Sequence, residues 1–342
     1  MSTAKMILKL SEASGISGME TGAVEAAKNM LAGLGECSVT ALGSLLCKVK
    51  SASPDKPHIM LTAHIDEIGL IVTYIDDDGF LRVGNCGGID RSMLLAAQVI
   101  VHTADGTLSG VVCTIPPHLN PDDTKVPKVE DIYIDVGMDA AAAREKIALG
   151  DRVSFVSEAQ EMLGGKVCAK SIDDRGGCVS VILAAKQLAQ AKLDCSVTVA
   201  LTSMEEVGGQ GAKTAAYQLM PAHAIAVDVS YGHTPDAARH KCGVVGEGPM
   251  LGISPILDNG MFAQMKASAK RHEIPYQLEV MGGNTGTDAD EIATTGAGVR
   301  CALLSIPLRY MHTPIEIVAV SDVEAVANLI AAYVTDEFGG ER

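Results

Sequence analysis

The sequence predicts an α/β protein in which a doubly wound mixed sheet is flanked by helices and carries an inserted small β-barrel. Two observations lead to this fold class. From about residue 165 onward, predicted apolar strands alternate with predicted helices, and this alternation is typical of a doubly wound sheet. Between about residues 70 and 164, short strands and turn signals follow one another closely, which indicates a small barrel.

The N-terminal part supplies the first helices and strands of the α/β layer. Residues 4–35 have apolar positions at helical spacing, interrupted by the loop SGISGMET. The segments CSVTALGSLLCKVK and HIMLTAHIDEIGLIVTYI are rich in β-forming residues. The turn DDDG at 76–79 is followed by FLRVGNCGG, which we expect to return as the second strand of a hairpin.

The inserted block and the C-terminal half continue this pattern. QVIVHTADGTLSGVVCTI predicts a hairpin around ADG, DIYIDVGM and DRVSFVSEAQ predict further strands, and DAAAREKIAL predicts a helix. The predicted elements after Gly165 are the helix RGGCVSVILAAKQLAQAK, the strand CSVTVALTSM, the helix GAKTAAYQLM, the strand HAIAVDVS, the helix ILDNGMFAQMKASAKRHE, the strands YQLEVMG and RCALLSIPLRY, and the helix SDVEAVANLIAAYVTDEF. We therefore expect one domain built from residues 1–69 and 165–342, with residues 70–164 as a β-rich insertion.

Composition and charge exclude several classes of partner. The chain of 342 residues has 27 lysines and arginines against 42 aspartates and glutamates, and its formal net charge is -15. No basic run is present, so nucleic acids and anionic membranes are poor partners. Tryptophan is absent and aromatic residues make up 3% of the chain, which leaves little from which to build a carbohydrate-stacking groove.

The N-terminus and the cysteines indicate a cytoplasmic protein. MSTAKMILKLSEASG lacks the apolar core of a signal peptide, and no apolar stretch reaches the roughly 20 residues needed to span a bilayer. The nine cysteines form no CxxC pair and lie mostly in apolar segments. We interpret them as small core residues in a reducing compartment.

Histidine and acidic residues stand beside apolar, strand-like runs at several places. His64 and Asp66 in TAHIDEIGL are two residues apart, which puts them on one face of a strand, so one can bind a metal while the other orients it. Asp173 in KSIDDRGG starts a helix, where an acidic residue also serves as a cap. Taken singly, each of these patterns is common in proteins without a metal.

The segment SMEEVGGQG is the most informative. Glu205 and Glu206 end a buried strand, and their side chains point in different directions, so one can bind a metal while the other acts as general base. Asp228 ends an apolar strand in AIAVDVS, where a buried charge needs a partner or a metal. His312 follows a strand in RYMHTPIE, and His233 in SYGHTPD is a weaker rival ligand. Together these groups suffice for two zinc-type ions that share a carboxylate.

These segments, in this order, resemble the tetrahedral metallo-aminopeptidases. That family includes glutamyl- and deblocking-aminopeptidase-like enzymes with a co-catalytic zinc site, and some members are labelled endoglucanase or cellulase M. The similar segments are AHIDEIG, PPHL, KSIDDRGG, SMEEVGGQGA, AVDVS, GTDADEI and RYMHTPIE, and they span essentially the whole chain. The resemblance implies a zinc-exopeptidase-like fold. It also implies that residues 70–164 form a dimerisation domain and that dimers assemble into hollow tetrahedral dodecamers.

The resemblance further implies two divalent metal ions per subunit, zinc first, with cobalt or manganese as alternatives. The implied ligands are His64 and Asp228 for one ion, Glu206 and His312 for the other, and Asp173 as the bridge. Glu205 would be the general base and Asp66 would support His64. The chain departs from the family in TGTDADEI, where glycines often surround GTDA. This loop lies near the substrate in the family, so Asp288 is a candidate substrate-loop residue. Arg309 in RYMHTPIE and His118 in PPHL are further candidates for contact with the substrate.

We therefore expect a metal-dependent aminopeptidase that releases N-terminal amino acids from short peptides. An amidohydrolase that removes acyl groups from N-acyl amino acids is the alternative, because related deacylases share this order of residues, although their extra domain is inserted later. A glycoside hydrolase is disfavoured, since its two carboxyl groups flank a sugar roughly 5–9.5 Å apart, which adjacent glutamates match poorly. An assembly protein without catalysis would lack a ligand, and none is missing.

Overall fold

The structure is a computed structural model that describes residues 1–116, 118–119 and 126–340. The α-helices are α1 Thr3–Glu12, α2 Thr21–Met30, α3 Ala140–Lys146, α4 Ile172–Gln190, α5 Gln210–Leu219, α6 Asn259–Arg271, α7 Asp288–Ala293 and α8 Val320–Phe338. The strands are β1 Glu36–Val39, β2 Leu45–Lys50, β3 His58–His64, β4 Gly69–Ile75, β5 Leu81–Cys86, β6 Gln98–Thr103, β7 Gly106–Val112, β8 Ile134–Asp135, β9 Arg152–Phe155, β10 Gln160–Met162, β11 Lys166–Ala169, β12 Ser196–Thr202, β13 His223–Tyr231, β14 Met250–Ile253, β15 Gln277–Val280, β16 Arg300–Leu308 and β17 Glu316–Ala319.

An eight-stranded mixed sheet forms the centre of the α/β layer. Its strand order is β1-β2-β12-β3-β13-β16-β14-β15. The four central strands β12, β3, β13 and β16 are parallel. The pairs β1-β2, β2-β12 and β16-β14 are antiparallel. Parallel strands bring their carboxyl ends to one edge, which is where open α/β sheets bind their ligands.

Helices cover both faces of this sheet, which explains why its central strands are apolar almost throughout. Strand β3 is buried from Ile59 to His64, and β16 is buried from Cys301 to Leu308. The core on one face includes residues of α1, α2, α4, α6 and α8, and the core on the other face includes residues of α5 and α7. A strand covered on both faces has no polar side to alternate with, so the sequence shows continuous apolar runs.

Six strands close into a barrel in the order β4-β5-β8-β7-β6-β9, and the ring is completed where β4 pairs with β9. Its interior is a separate apolar core that includes Leu70, Val99 and Val153. These findings confirm the predicted fold class of a mixed sheet flanked by helices with an inserted barrel. The division into residues 1–69 with 165–342 and residues 70–164 stays a prediction.

Several short elements were not predicted. Strand β10 pairs with β11, which pairs with β17, as a three-stranded sheet apart from the barrel. Strand β14 and the six-residue helix α7 also escape the sequence patterns, because four to six residues are too few to reveal a period. In the described part of the chain, no helix combines the length and the apolar character that crossing a bilayer requires.

Candidate metal centre

The carboxyl edge of the parallel strands carries most of the predicted site residues. They are His64 at the end of β3, Glu205 and Glu206 after β12, Asp228 within β13 and His312 after β16. Strands β12 and β3 end level with each other, since Thr202 is the register partner of His64. Asp173 comes from a different element, the first turn of α4. The fold thus brings together residues that are up to about 250 positions apart in the sequence.

Asp173 lies between the two histidines and contacts both. Its Oδ1 is 3.0 Å from Nε2 of His64, and its Oδ2 is 3.2 Å from Nε2 of His312. Glu206 Oε1 is 3.4 Å from the same nitrogen of His312, and Asp228 Oδ1 is 3.9 Å from Nε2 of His64. One carboxylate therefore offers one oxygen to each half of the cluster.

The cluster has the form of two ligand sets that share a residue. One set is His64, Asp173 and Asp228, and the other is Asp173, Glu206 and His312, and within each set the potential ligand atoms lie within 4.8 Å of one another. Nitrogen and oxygen ligands about 2 Å from a zinc-type ion are separated by roughly 3–4 Å. The residues present therefore fit two divalent ions with Asp173 between them.

Asp66 connects the segment that contains His64 to the glutamate pair, Glu205 and Glu206. It is fully buried, and its Oδ1 lies 3.4 Å from Nδ1 of His64. The same Oδ1 accepts a hydrogen bond from the backbone N–H of Glu205 over 3.0 Å, and Oδ2 accepts from the N–H of Glu206 over 3.2 Å. Ser17 Oγ donates to Oδ2 over 2.6 Å. Asp66 thus orients an imidazole and the loop after β12 at once.

Glu316 is a buried carboxylate whose role the sequence analysis missed. Its Oε2 accepts a hydrogen bond from the backbone N–H of Asp173 over 3.0 Å, and its Oε1 accepts from the N–H of His312 over 2.8 Å. Both oxygens are therefore used to fix the backbone of two predicted ligands. The signal in the sequence was an acidic residue at the start of the apolar strand EIVA.

Three residues at the site have left-handed backbone without being glycine. They are Ser171 with φ 57°, Met204 with φ 59° and His312 with φ 62°. Ser171 precedes α4 and Met204 precedes the glutamate pair, so each strained residue adjoins a predicted site residue. Strain of this kind persists only where the surrounding structure fixes the backbone, and it clusters at functional sites.

The electrostatics of the site are dominated by carboxylates. Burial raises the pKa of Asp173, but the imidazoles of His312 and His64 outweigh this effect and hold that pKa below its usual range. Burial lowers the pKa of His312, but contacts with Asp173 and Glu206 raise it to about 11. Burial raises the pKa of Glu205 to about 8, with His64 opposing the shift. Such an excess of buried negative charge calls for cations.

A cavity of about 480 Å³ opens over the cluster, and its lining contains no lysine or arginine among the residues described. Glu205 lines this cavity, and none of the described hydrogen bonds reaches its carboxylate. The three candidate substrate-loop residues are not part of the lining. Asp288 is buried behind it, with Oδ2 accepting from Thr202 Oγ1. Arg309 donates from Nε to the carbonyl of His233 over 2.9 Å.

The remaining candidates lie apart from the cluster. His118 is exposed and stands between residue 117 and residues 120–125, which are outside the described residues. Among the described residues, His233 belongs to neither ligand set. The proposed contacts of Asp288, Arg309 and His118 with the substrate therefore stay predictions.

A buried ion-pair network adjoins the segments that carry the predicted site residues. Glu67, directly after the His64 motif, accepts from Ser171 Oγ and Lys170 Nζ at Oε2. At Oε1 it accepts from the backbone N–H of Gly15 over 2.9 Å and from Arg175 Nη2 over 3.3 Å. Arg175 has no exposed surface. A guanidinium buried in this way needs partners for its charge. This network joins β3 to the start of α4.

The chain is similar over nearly its whole length to known aminopeptidases. A lysyl aminopeptidase of Pyrococcus furiosus is 30% identical over 341 residues, which cover 97% of this chain and 96% of that protein. An aminopeptidase of the archaeon Desulfurococcus kamchatkensis has a similar structure, with 32% identity, a TM-score of 0.89 and coverage of 97% of this chain and 94% of that chain.

The TET1 peptidase of Pyrococcus horikoshii is also similar, with 31% identity, a TM-score of 0.86 and coverage of 97% of this chain and 98% of that one. The family model described as M42 glutamyl aminopeptidase matches residues 43–329. These matches confirm the resemblance that the sequence motifs indicated and, at the level of the reaction, the prediction of an aminopeptidase. Because the family model covers well over half of this chain, the chain belongs to the M42 glutamyl aminopeptidase family.

Proposed function

We propose that the protein is a metal-dependent aminopeptidase that uses two divalent ions and a glutamate general base to release N-terminal residues from short peptides. The observation that carries this proposal is the pair of three-residue ligand sets that share Asp173 at the carboxyl edge of the sheet. His64 and Asp228 would hold one ion, and Glu206 and His312 the other. Zinc suits nitrogen and carboxylate ligands, and cobalt or manganese would also be accepted.

When bound, such ions polarise a carbonyl as Lewis acids and lower the pKa of a water molecule. Glu205 is proposed to take the proton from the attacking water and to deliver it to the departing amine. Two features support this role: it lines the cavity, and burial raises its pKa to about 8, close to the range in which a carboxylate exchanges protons readily. Asp66 would hold Glu205 in position through its backbone N–H.

We also propose that the enzyme works as a homo-oligomer in which residues 70–164 form the dimer contact. The TET1 peptidase of Pyrococcus horikoshii can assemble into a tetrahedron or a large octahedral shell, and it matches nearly the whole length of this chain. On the barrel, Val111 and Val156 are 46% and 43% exposed and line one shallow groove. Dimers that assemble into a tetrahedral dodecamer would cover such a surface.

The test is hydrolysis of a peptide panel by metal-loaded protein, with each peptide supplied with a free and an N-acetylated terminus. Chelator-sensitive cleavage of the free forms alone is the expected result. Glu205→Gln should lose about 10²- to 10⁴-fold in kcat while retaining its metal. Wild-type activity in a metal-loaded Glu205→Gln enzyme would refute the mechanism. Release of acetyl groups would instead favour deacylation of N-acyl amino acids.

A further inference from the structure

The cavity extends beyond the predicted metal ligands along β13, β16 and β15. Its far part is lined by Ser230, Glu279, Met281, Leu303 and Ser305. Glu279 is the one charged side chain of the described lining that is neither a predicted metal ligand nor the proposed general base. The other residues that line this far part of the cavity are neutral, so its single carboxylate requires an explanation.

The position of Glu279 relative to the metal centre follows from strand register. Ser305 of β16 is the register partner of Asp228 in β13, so the two lie on neighbouring strands, about 4.8 Å apart. Ser230 is two residues beyond Asp228 and therefore faces the same side of the sheet. Both serines hold Glu279, because Ser305 Oγ donates to its Oε2 over 2.6 Å and Ser230 Oγ donates to its Oε1.

Glycine in the intervening strand permits this reach. Strand β14 lies between β15 and β16, and its Gly252 is the register partner of Glu279. A Cβ at Gly252 would stand 3.0 Å from Cβ of Leu303, so a side chain there would force its neighbours to shift. With no side chain at this position, the glutamate extends across β14 to the two hydroxyl groups. Its carboxylate is thereby fixed within one or two strand spacings of Asp228.

The charge of Glu279 has no counterpart in the described residues. Its hydrogen-bond donors are two neutral hydroxyl groups, and a carboxylate has roughly four acceptor sites. No lysine, arginine or histidine of the described chain forms an ion pair with it, although many surface carboxylates here do have such partners. Met281, Leu303 and Met311 provide apolar walls in the same cavity.

We infer that Glu279 binds the cationic side chain of an N-terminal lysine or arginine, so that the enzyme acts on peptides that begin with a basic residue. The apolar walls suit the methylene stem of such a side chain, and the carboxylate suits its charged end. An acidic N-terminal residue would be repelled by Glu279. This inference names the substrate class of the proposed aminopeptidase and rests on that function.

The test compares kcat/KM for peptides that differ only in their first residue: lysine, arginine, glutamate and norleucine, which has the stem of lysine without its ammonium group. The wild-type enzyme should prefer lysine and arginine over norleucine by about 10- to 100-fold. Glu279→Gln should remove this preference by lowering kcat/KM for the basic peptides while leaving norleucine unchanged. Unchanged norleucine cleavage also shows that the variant is folded.

A matched control is Glu161→Gln, the same substitution at an exposed position of β10, which should leave all four values unchanged. Equal losses on lysine and norleucine peptides in Glu279→Gln would overturn the inference, since they would mean that Glu279 binds the common α-amino group or serves packing alone. A wild-type preference for norleucine or glutamate would overturn it too, while aminopeptidase activity would stand. Failure to cleave any of the peptides would refute the proposed function itself.

Discussion

Asp66 accepts a hydrogen bond from the backbone N–H of Glu205 over 3.0 Å, although 139 positions separate the two residues. The carboxylate beside the first predicted histidine therefore also sets the position of the proposed general base. Asp66 thus has two roles, and a single substitution of this residue should disturb both the metal centre and proton transfer.

Asp66→Asn should lower kcat by about 10- to 100-fold, which is the usual effect of changing a group that orients a metal ligand. The variant keeps one acceptor oxygen. Its amide group, however, would replace the oxygen that now accepts hydrogen bonds from Ser17 Oγ and from the backbone N–H of Glu206. Steady-state kinetics and metal content by atomic emission provide the measurement. Asp78→Asn, in the exposed turn of the β4-β5 hairpin, is the control and should behave as wild type.

If the protein binds two ions per subunit as proposed, Asp173→Ala should reduce the metal content to less than one, because both ligand sets lose a member. Glu206→Ala should retain one ion, since it belongs to a single set. Both quantities can be measured by equilibrium dialysis with zinc. If Asp173→Ala bound as much metal as Glu206→Ala, Asp173 would not be shared.

Glu316→Gln should weaken metal binding by about 10- to 100-fold without abolishing catalysis at high metal concentration. The glutamine offers one acceptor oxygen where the backbone N–H groups of Asp173 and His312 require two. Competition with a chromophoric chelator gives the metal affinity, and kcat is measured at saturating metal. A kcat that stayed low at saturating metal would contradict a role limited to positioning the ligands.

Glu67→Gln should destabilise the protein at neutral pH by on the order of 3 kcal/mol and by progressively less in acid. Burial raises the pKa of Glu67, but Lys170 and Arg175 outweigh it and lower that pKa from 4.5 to about 2. The ionised glutamate therefore stabilises the fold above pH 4.5, and this contribution is lost as pH falls through 2.

Urea unfolding at one protein concentration, between pH 7 and pH 3, measures the difference in unfolding free energy between wild type and Glu67→Gln. We expect the difference to fall to about half by pH 3. A difference that stayed constant over this range would mean that the ion pairs with Glu67 do not account for its contribution.

The parts of the molecule that follow from the sequence are those with a local signal. Continuous apolar runs predicted the central strands. A histidine or acidic residue at the end of such a run pointed to His64 and Asp228, whose side chains lie 3.9 Å apart in the structure. Glu316 could not be assigned in this way, because it stands at the start of an apolar strand and one of its two partners, Asp173, lies 143 positions away. Asp288 was expected in a substrate loop, yet it lies in the first turn of α7, buried against Thr202.

The strand order also bears on how the chain folds as it leaves the ribosome. Strand β3 ends at His64, but both of its neighbours, β12 and β13, belong to residues 196–231. The barrel strands, by contrast, pair with one another within residues 69–155. During synthesis from the N-terminus, the barrel can therefore be completed while β3 still lacks both of its neighbours. On the proposed assignment, the ligand set of His64, Asp173 and Asp228 is synthesised before the set that also needs His312.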